Sequence, residues 1–288
     1  MKRKCEIMAN IKIVTDSSCG VTEEEIQKYN ISIIPLSVMI NDTVYVEGET
    51  ITSEEFIHKM EESKTLPKTS QPPLGKFVEK FDELGADGSS VICFDMMSAI
   101  SGTFQTAQQA ANLSKSDVTV IDSQVTDRAM AFQVLAAAKM AQAGASKEEI
   151  IKKAADIRDH TTLYLAVVNL ENLVKGGRLS KISGLLGGLL NIKVLLQVKD
   201  GKLEVVNKVR GMKAMKKLWN DIYTEMQSKP NIQSVGISHV DAFKMVDDMK
   251  EHIGEFFPAD KIVVRETVPI IATHTGVGAF CLTYYYED

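Results

Sequence analysis

The sequence predicts an α/β protein of two units: a parallel-sheet N-terminal domain over residues 8–165 and a smaller α+β C-terminal domain over 166–288. Two observations carry that reading. Up to about residue 160, short β-branched runs alternate with segments that open on Ser or Thr followed by Glu, as strands followed by capped helices do. Beyond about residue 162 the alternation stops, and Asp200-Gly201 between two strand-like runs marks a hairpin.

Each element has its own signal. Ile11 to Val14 is a β-branched strand ending at Asp16-Ser17-Ser18, and Thr22 with Glu23, Glu24 and Glu25 opens a helix. Ile31 to Ile40 reads as one strand, and Thr52-Ser53-Glu54-Glu55 caps a helix to about Ser63. Thr69-Ser70-Gln71-Pro72-Pro73 reads as a loop, with a helix possible from Pro73 onward. Ser90 to Phe94 and Val118 to Asp122 are strands, separated by an Ala/Gln-rich helix over Thr103 to Asn112. Arg128 to Gln142 is an Ala-rich helix closed by Gly144, and Ser146 caps the next, which runs to about His160. Strands each followed by a helix imply a parallel sheet covered on both faces. In the second unit, Leu163 to Asn169 is a strand and Lys175 to Leu190 is Gly-rich. Val194 to Lys199 and Lys202 to Lys208 form the hairpin, Gly211 to Ser228 a helix, and Ile232 to His239 a strand. A helix near Ala242–Phe256, a strand over Ile262 to Thr267 and a strand-like ending from Ile270 to Tyr286 complete it.

Composition narrows the function. Hydrophobic residues make up 44% and charged residues 25%, as in an ordinary globular protein. A net charge of -5 argues against nucleic-acid binding, which needs a basic face to release counterions. The 13 methionines suit an adaptable apolar lining, although any single Met is more often plain core. Cys5, Cys19, Cys93 and Cys281 are scattered, as free thiols in a reducing compartment are. The first ten residues lack an apolar signal segment, and residues 1–7 read as an extension with no role in the fold. The longest apolar stretch, Leu185 to Val198, is interrupted by glycines and Lys193 and is too short for a bilayer. A cytoplasmic location is the expectation.

Three hydroxyl-rich segments stand at predicted strand ends: Asp16-Ser17-Ser18, Ser98 through Thr103, and Asp122-Ser123-Gln124. Strand ends of a parallel sheet are where ligands collect. A single such hydroxyl is more often a helix cap. Ser101-Gly102-Thr103 is the more suggestive, because glycine admits close approach to a ligand. Arg178 and Arg210 stand beside glycines, where a planar guanidinium suits a carboxylate or phosphate; a solvated loop charge is the bland alternative. His274 precedes Thr275-Gly276-Val277-Gly278 and reads as the end of a strand. No nucleotide loop, nucleophile elbow or HExxH spacing is present, so no cofactor or metal is expected. The chain reads as able to bind an anion but not to bring its own phosphoryl donor.

Taken in order, Val14 to Ser18, Lys68-Thr69-Ser70-Gln71-Pro72, Ser101-Gly102-Thr103-Phe104, Val120-Ile121-Asp122-Ser123, Gly176-Gly177-Arg178 and His274-Thr275-Gly276 resemble the DegV family of bacterial fatty-acid-binding proteins. That family includes the B-type subunits of fatty acid kinase. The resemblance runs from about residue 11 to the C-terminus. It departs at Pro73, where Ser is common, at Phe104, where Tyr is common, and at Val277, where Pro is common. It implies a long-chain fatty acid such as palmitate enclosed between the two domains, its carboxylate held by Thr69, Ser70 and Ser101 with support from His274. It also implies that Arg178 and Arg210 serve the acyl phosphate or dock an ATP-dependent kinase subunit, in the service of phospholipid metabolism. Transient contact with a membrane surface belongs to the same picture.

The physics is consistent with that expectation. Burying about fifteen methylenes at roughly 0.8 kcal/mol each gives about 12 kcal/mol gross, from which ordering and immobilisation subtract. The acyl chain would supply affinity and the head group orientation. Hydroxyl donors satisfy a buried carboxylate without the cationic pairing that would blunt its nucleophilicity. Two other readings stand beside it: a lipid carrier with no kinase partner, and a thioesterase-type hydrolase built on Ser101 and His274.

Overall fold

The computed structural model describes residues 10–184 and 192–288. The expected extension at residues 1–7, and residues 185–191 of the apolar Gly-rich stretch, lie outside the described residues.

β1 (Ile11–Asp16) leads into α1 (Glu23–Tyr29), where Thr22 and Glu25 form a reciprocal capping box. The single strand expected over residues 31–40 is two, β2 (Ser32–Ile34) and β3 (Ser37–Ile40), in different sheets. Pro35 divides them, because proline offers no N–H to a ladder. β3 turns through Asn41 and Asp42, both at positive φ, into β4 (Thr43–Val46), a half-exposed strand with no hydrophobic alternation to announce it. α2 (Ser53–Glu62) follows with its capping box from Thr52 to Glu55.

The expected loop at 69–73 starts instead as an edge strand, β5 (Lys68–Ser70), antiparallel to β3 with Thr69 opposite Val38. Prolines favour extended backbone before them, and here that extension finds a partner. α3 (Leu74–Gly85), β6 (Ser90–Asp95), α4 (Thr103–Leu113), β7 (Val118–Asp122), α5 (Asp127–Gln142) and α6 (Lys147–Asp159) follow as expected. β2-β1-β6-β7 form a parallel sheet whose order reverses between β1 and β6. Such a switch point opens a crevice at the carboxyl ends of the strands.

β8 (Thr161–Val167), α7 (Glu171–Lys175), β9 (Ile182–Ser183), β10 (Lys193–Lys199), β11 (Lys202–Val209), α8 (Met212–Gln227), β12 (Ile232–His239), α9 (Phe243–Gly254), β13 (Ile262–Glu266), α10 (Pro269–Thr275) and β14 (Phe280–Tyr286) make up the remainder. The sheet order is β13-β12-β14-β8-β10-β11-β9, largely antiparallel. Asp200 and Gly201 have φ of 48° and 68°, the two-residue turn expected between β10 and β11. The expected strand at 270 is not formed. Pro269 stands at the first helical position behind Val268, so the segment folds as α10 and His274 rides in its last turn.

α5 is the central pillar, with most of its residues buried between the two large sheets. Its Arg128 forms a forked pair with Glu25, with N–O distances of 2.6 and 2.7 Å. The Arg128 stem lies so close to Gly236 of β12 that a Cβ there would sit 2.3 Å from Arg128 Cγ. One continuous core joins Ile13 and Phe94 of the parallel sheet to Leu163, Ile270 and Cys281.

Candidate ligand cavity and head-group cluster

A cavity of about 350 Å³ opens where the parallel sheet meets β8, β10 and α10. Its position follows from the topology: Met96, Met97 and Ile100 line it directly after the carboxyl end of β6. Leu163 and Leu165 of β8 and Leu196 of β10 supply further apolar wall. The volume lies within the range of small-molecule sites.

Polar side chains meet at this cavity. Thr69, Ser70, Ser101, Arg178 and His274 all line it. Thr69 Oγ1 and His274 Nε2 are 3.1 Å apart, joining β5 to α10. The Gln71 side chain lies against Gly102, where an added Cβ would meet its Oε1 at 2.5 Å, so the Thr69 and Ser101 segments are packed together. Ser101 Oγ and Thr103 Oγ1 are 2.8 Å apart, and Thr103 N–H donates to Ser101 Oγ at 3.3 Å. Ser101 therefore helps to cap α4 while still facing the cavity. Arg178 is half-buried and donates to Gly176 O at 2.9 Å.

Burial, with Arg178 nearby, pushes the His274 imidazole down to about 4, so the ring is neutral at neutral pH. Its Nδ1 has no hydrogen-bond partner among the described residues. With Nε2 protonated, His274 donates to Thr69 Oγ1, and the Thr69 hydroxyl proton is free for a ligand oxygen. The cluster can thus offer the Thr69 and Ser101 hydroxyls and the Arg178 guanidinium to an anion while the ring stays uncharged. Among the described residues no group of three His, Cys, Asp or Glu is placed to hold a metal ion.

Arg210 is set apart. It is exposed just ahead of α8 and does not line the cavity. Two hydroxyl segments singled out in the sequence are structural. Asp16 accepts from Ser18 N at 2.8 Å and Met96 N at 2.7 Å, and buried Ser123 donates to Val125 O at 2.9 Å. Gln71, Thr126 and Thr275 also line the cavity without having been singled out. Gln71 stands inside the Thr-Ser-Gln-Pro run and Thr275 inside the His-Thr-Gly run, so their signal was present; Thr126 had none.

Known proteins share this fold. A family model described as "Uncharacterised protein, DegV family" matches residues 10–287. The chain belongs to the DegV family. A DegV domain-containing protein of Streptococcus pneumoniae is 43% identical over 281 residues, 98% of this chain and 100% of its own. DegV of Bacillus subtilis, a fatty acid binding protein, superposes with a TM-score of 0.88 at 28% identity, over 97% of this chain and 100% of its own. A DegV family protein of Thermus thermophilus, solved for its fatty acid binding, gives 0.86 at 26% identity, over 96% and 100%. The α/β fold expected from the sequence, here a parallel sheet with further mixed sheets, is the fold of these DegV structures.

Proposed function

We propose that this DegV protein binds one long-chain fatty acid in the cavity, with the carboxylate at Thr69, Ser70 and Ser101 and the acyl chain along the apolar wall. The observation that carries the reading is the meeting of those hydroxyls and His274 at the side of one mainly apolar cavity. The fatty acid binding of the Bacillus subtilis and Thermus thermophilus relatives supports it. Residues 8–165 supply the hydroxyls and residues 166–288 close the cavity with Leu196, Arg178 and His274. Among the described residues no helix is long and apolar enough to cross a membrane, and we place the protein in the cytoplasm on its sequence.

The bound acid is presented to a separate ATP-dependent kinase subunit. A carboxylate oxygen attacks the γ-phosphorus of ATP on that partner; the new O–P bond forms as the bond to ADP breaks, giving acyl phosphate and ADP. Held by hydroxyls, the oxygen keeps its nucleophilicity, and Arg178 faces the charge that spreads over the transferred group. Arg210, exposed, serves docking instead. Incubating the lipid-loaded protein with kinase subunit and ATP yields acyl phosphate on this account. Its absence leaves the plain carrier reading.

The hydrolase reading lacks its geometry. The Nε2 of His274 faces Thr69, Ser101 pairs with Thr103, and no carboxylate orients Nδ1 among the described residues. Steady turnover of a p-nitrophenyl ester, lost in Ser101→Ala, would reinstate it.

A further inference from the structure

Glu47 lies at the end of β4 with only 4% of its surface exposed, and it does not itself line the cavity. Its two oxygens bind two distant segments. Oε1 accepts from Ile270 N–H, in the first turn of α10, at 2.5 Å, and Oε2 pairs with the Ser17 hydroxyl beyond β1. Ser17 Oγ in turn accepts from Leu36 N–H at 2.9 Å, and Glu47 N–H donates to Leu36 O at 3.1 Å. One carboxyl group thereby ties the ends of β1 and β4 to the start of the helix that carries His274, Ile270 and Ile271 into the cavity.

We propose that Glu47 is the positioning residue of α10: clamped by Ser17, it sets the first turn of the helix and so the place of His274 beside Thr69, and it works as a pH-sensitive latch on the cavity. The consequence for lipid retention rests on the fatty-acid reading above; the latch itself does not. The serine of the Asp16-Ser17-Ser18 segment thus acquires a role as the clamp rather than as a ligand contact.

The charge around the latch sets its direction. Asp16 on β1 and Arg265 on β13 act on Glu47 with opposite sign, and Glu23 and Glu49 line the cleft beside it. Burial outweighs the bonds from Ser17 and Ile270, and the Glu47 carboxyl is pushed up to about 7. Both protonation states can keep the clamp, because the acid donates to Ser17 Oγ where the carboxylate accepts from it. Only the carboxylate is favoured by exposure to water. A carboxyl raised in the latched state therefore stabilises that state below its raised pKa, and the latch weakens as pH rises through 7. If the unlatched carboxyl titrates as an ordinary Glu, the unlatching equilibrium rises about tenfold between pH 6 and pH 8.

Glu47→Gln mimics the protonated latch, its amide oxygen accepting from Ile270 N–H and its NH2 donating to Ser17 Oγ. Hydrogen exchange of the full-length, ligand-free protein, corrected for intrinsic base catalysis, reads the latch at residues 270–275. The expected result is protection that falls about tenfold from pH 6 to 8 in the native protein and stays flat in Glu47→Gln. Ser17→Ala, which removes the donor to the carboxylate, moves the midpoint to higher pH and covers the case in which the Gln variant folds poorly. The same pH profile in native protein and Glu47→Gln, or a midpoint unmoved in Ser17→Ala, overturns the latch. Dissociation of a fluorescent fatty acid over the same range reads the functional arm. A pH-dependent exchange profile with no lipid binding would sink the fatty-acid reading and leave the latch standing.

Discussion

His274 explains a glycine in the Gly-Gly-Arg run. A Cβ on Gly176 would lie 2.4 Å from His274 Nδ1 and 2.8 Å from the Asn172 carbonyl oxygen, so no larger residue fits without moving the ring. Gly176→Ala is expected to destabilise by about 1–3 kcal/mol as an overpacked site and to release lipid faster. Gly75→Ala, where nothing lies within 4 Å, is the control; thermal unfolding and lipid dissociation of the two variants check it. His274 also imprints a pH dependence. Its folded pKa, about 4, lies below the ordinary 6.5, so the unfolded chain takes up the proton first. Stability is then lost as pH falls from about 6.5 to 4, by at most about 3 kcal/mol, while raised Glu47 acts in the opposite sense between about 7 and 4.5. Urea unfolding at pH 6.5 and 4.5 should show a smaller loss in His274→Gln than in the native chain. At this scale part of the polar side of the candidate site was legible: Thr69, Ser70, Ser101, Arg178 and His274 line the cavity, whereas Arg210 and Ser123, singled out by the same kind of signal, do not. The apolar half was not: Met97, Leu163 and Leu196 face a cavity but read like any core residue. Glu47 gave no signal, because a glutamate near a turn reads as solvated.

Among the elements, the β10–β11 hairpin lines the cavity from the side of the large sheet. Leu196 and Val198 of β10 and Leu203 of β11 line the wall, and Gly201 at the tip stands beside Gln124. Gly201, at φ 68°, is tightly placed: a Cβ there would lie 3.2 Å from Gln124 Cβ, so that side chain would have to give by a few tenths of an ångström. Gly201→Val combines a β-branched residue in the left-handed region with that contact and is expected to destabilise by roughly 1–3 kcal/mol. If the tip helps to close the cavity, the variant also releases bound lipid several-fold faster in a stopped-flow chase. Faster unfolding with unchanged lipid release would separate the hairpin from the closure. The hairpin was legible because Asp-Gly has one dominant use. The division of residues 31–40 was not, since Pro35 sits in a run that alternates well on both sides. The segment from Ile270 was misread as a strand because its apolar, β-branched start has strand composition. Pro269 at the first helical position and the pull of Glu47 on Ile270 N–H decide for helix.

At the scale of the whole molecule, the capped helices, the parallel sheet and the change of pattern near residue 162 were legible because local propensity and global fold agree there. The joining of the two sheets through α5 was not, because an Ala-rich helix declares that it is buried without declaring between what. That joining places the hydroxyls of Thr69, Ser70 and Ser101 and the ring of His274 at one cavity, and the account depends on it. Mass spectrometry of lipid extracted from freshly purified protein tests this most directly. The prediction is close to one long-chain fatty acid per chain in the native protein, and several-fold less in Thr69→Val and Ser101→Ala, in keeping with the loss of about 1 kcal/mol or more per hydrogen bond. Native protein that carries no fatty acid, or a Thr69→Val/Ser101→Ala double variant that retains a full complement, would contradict it.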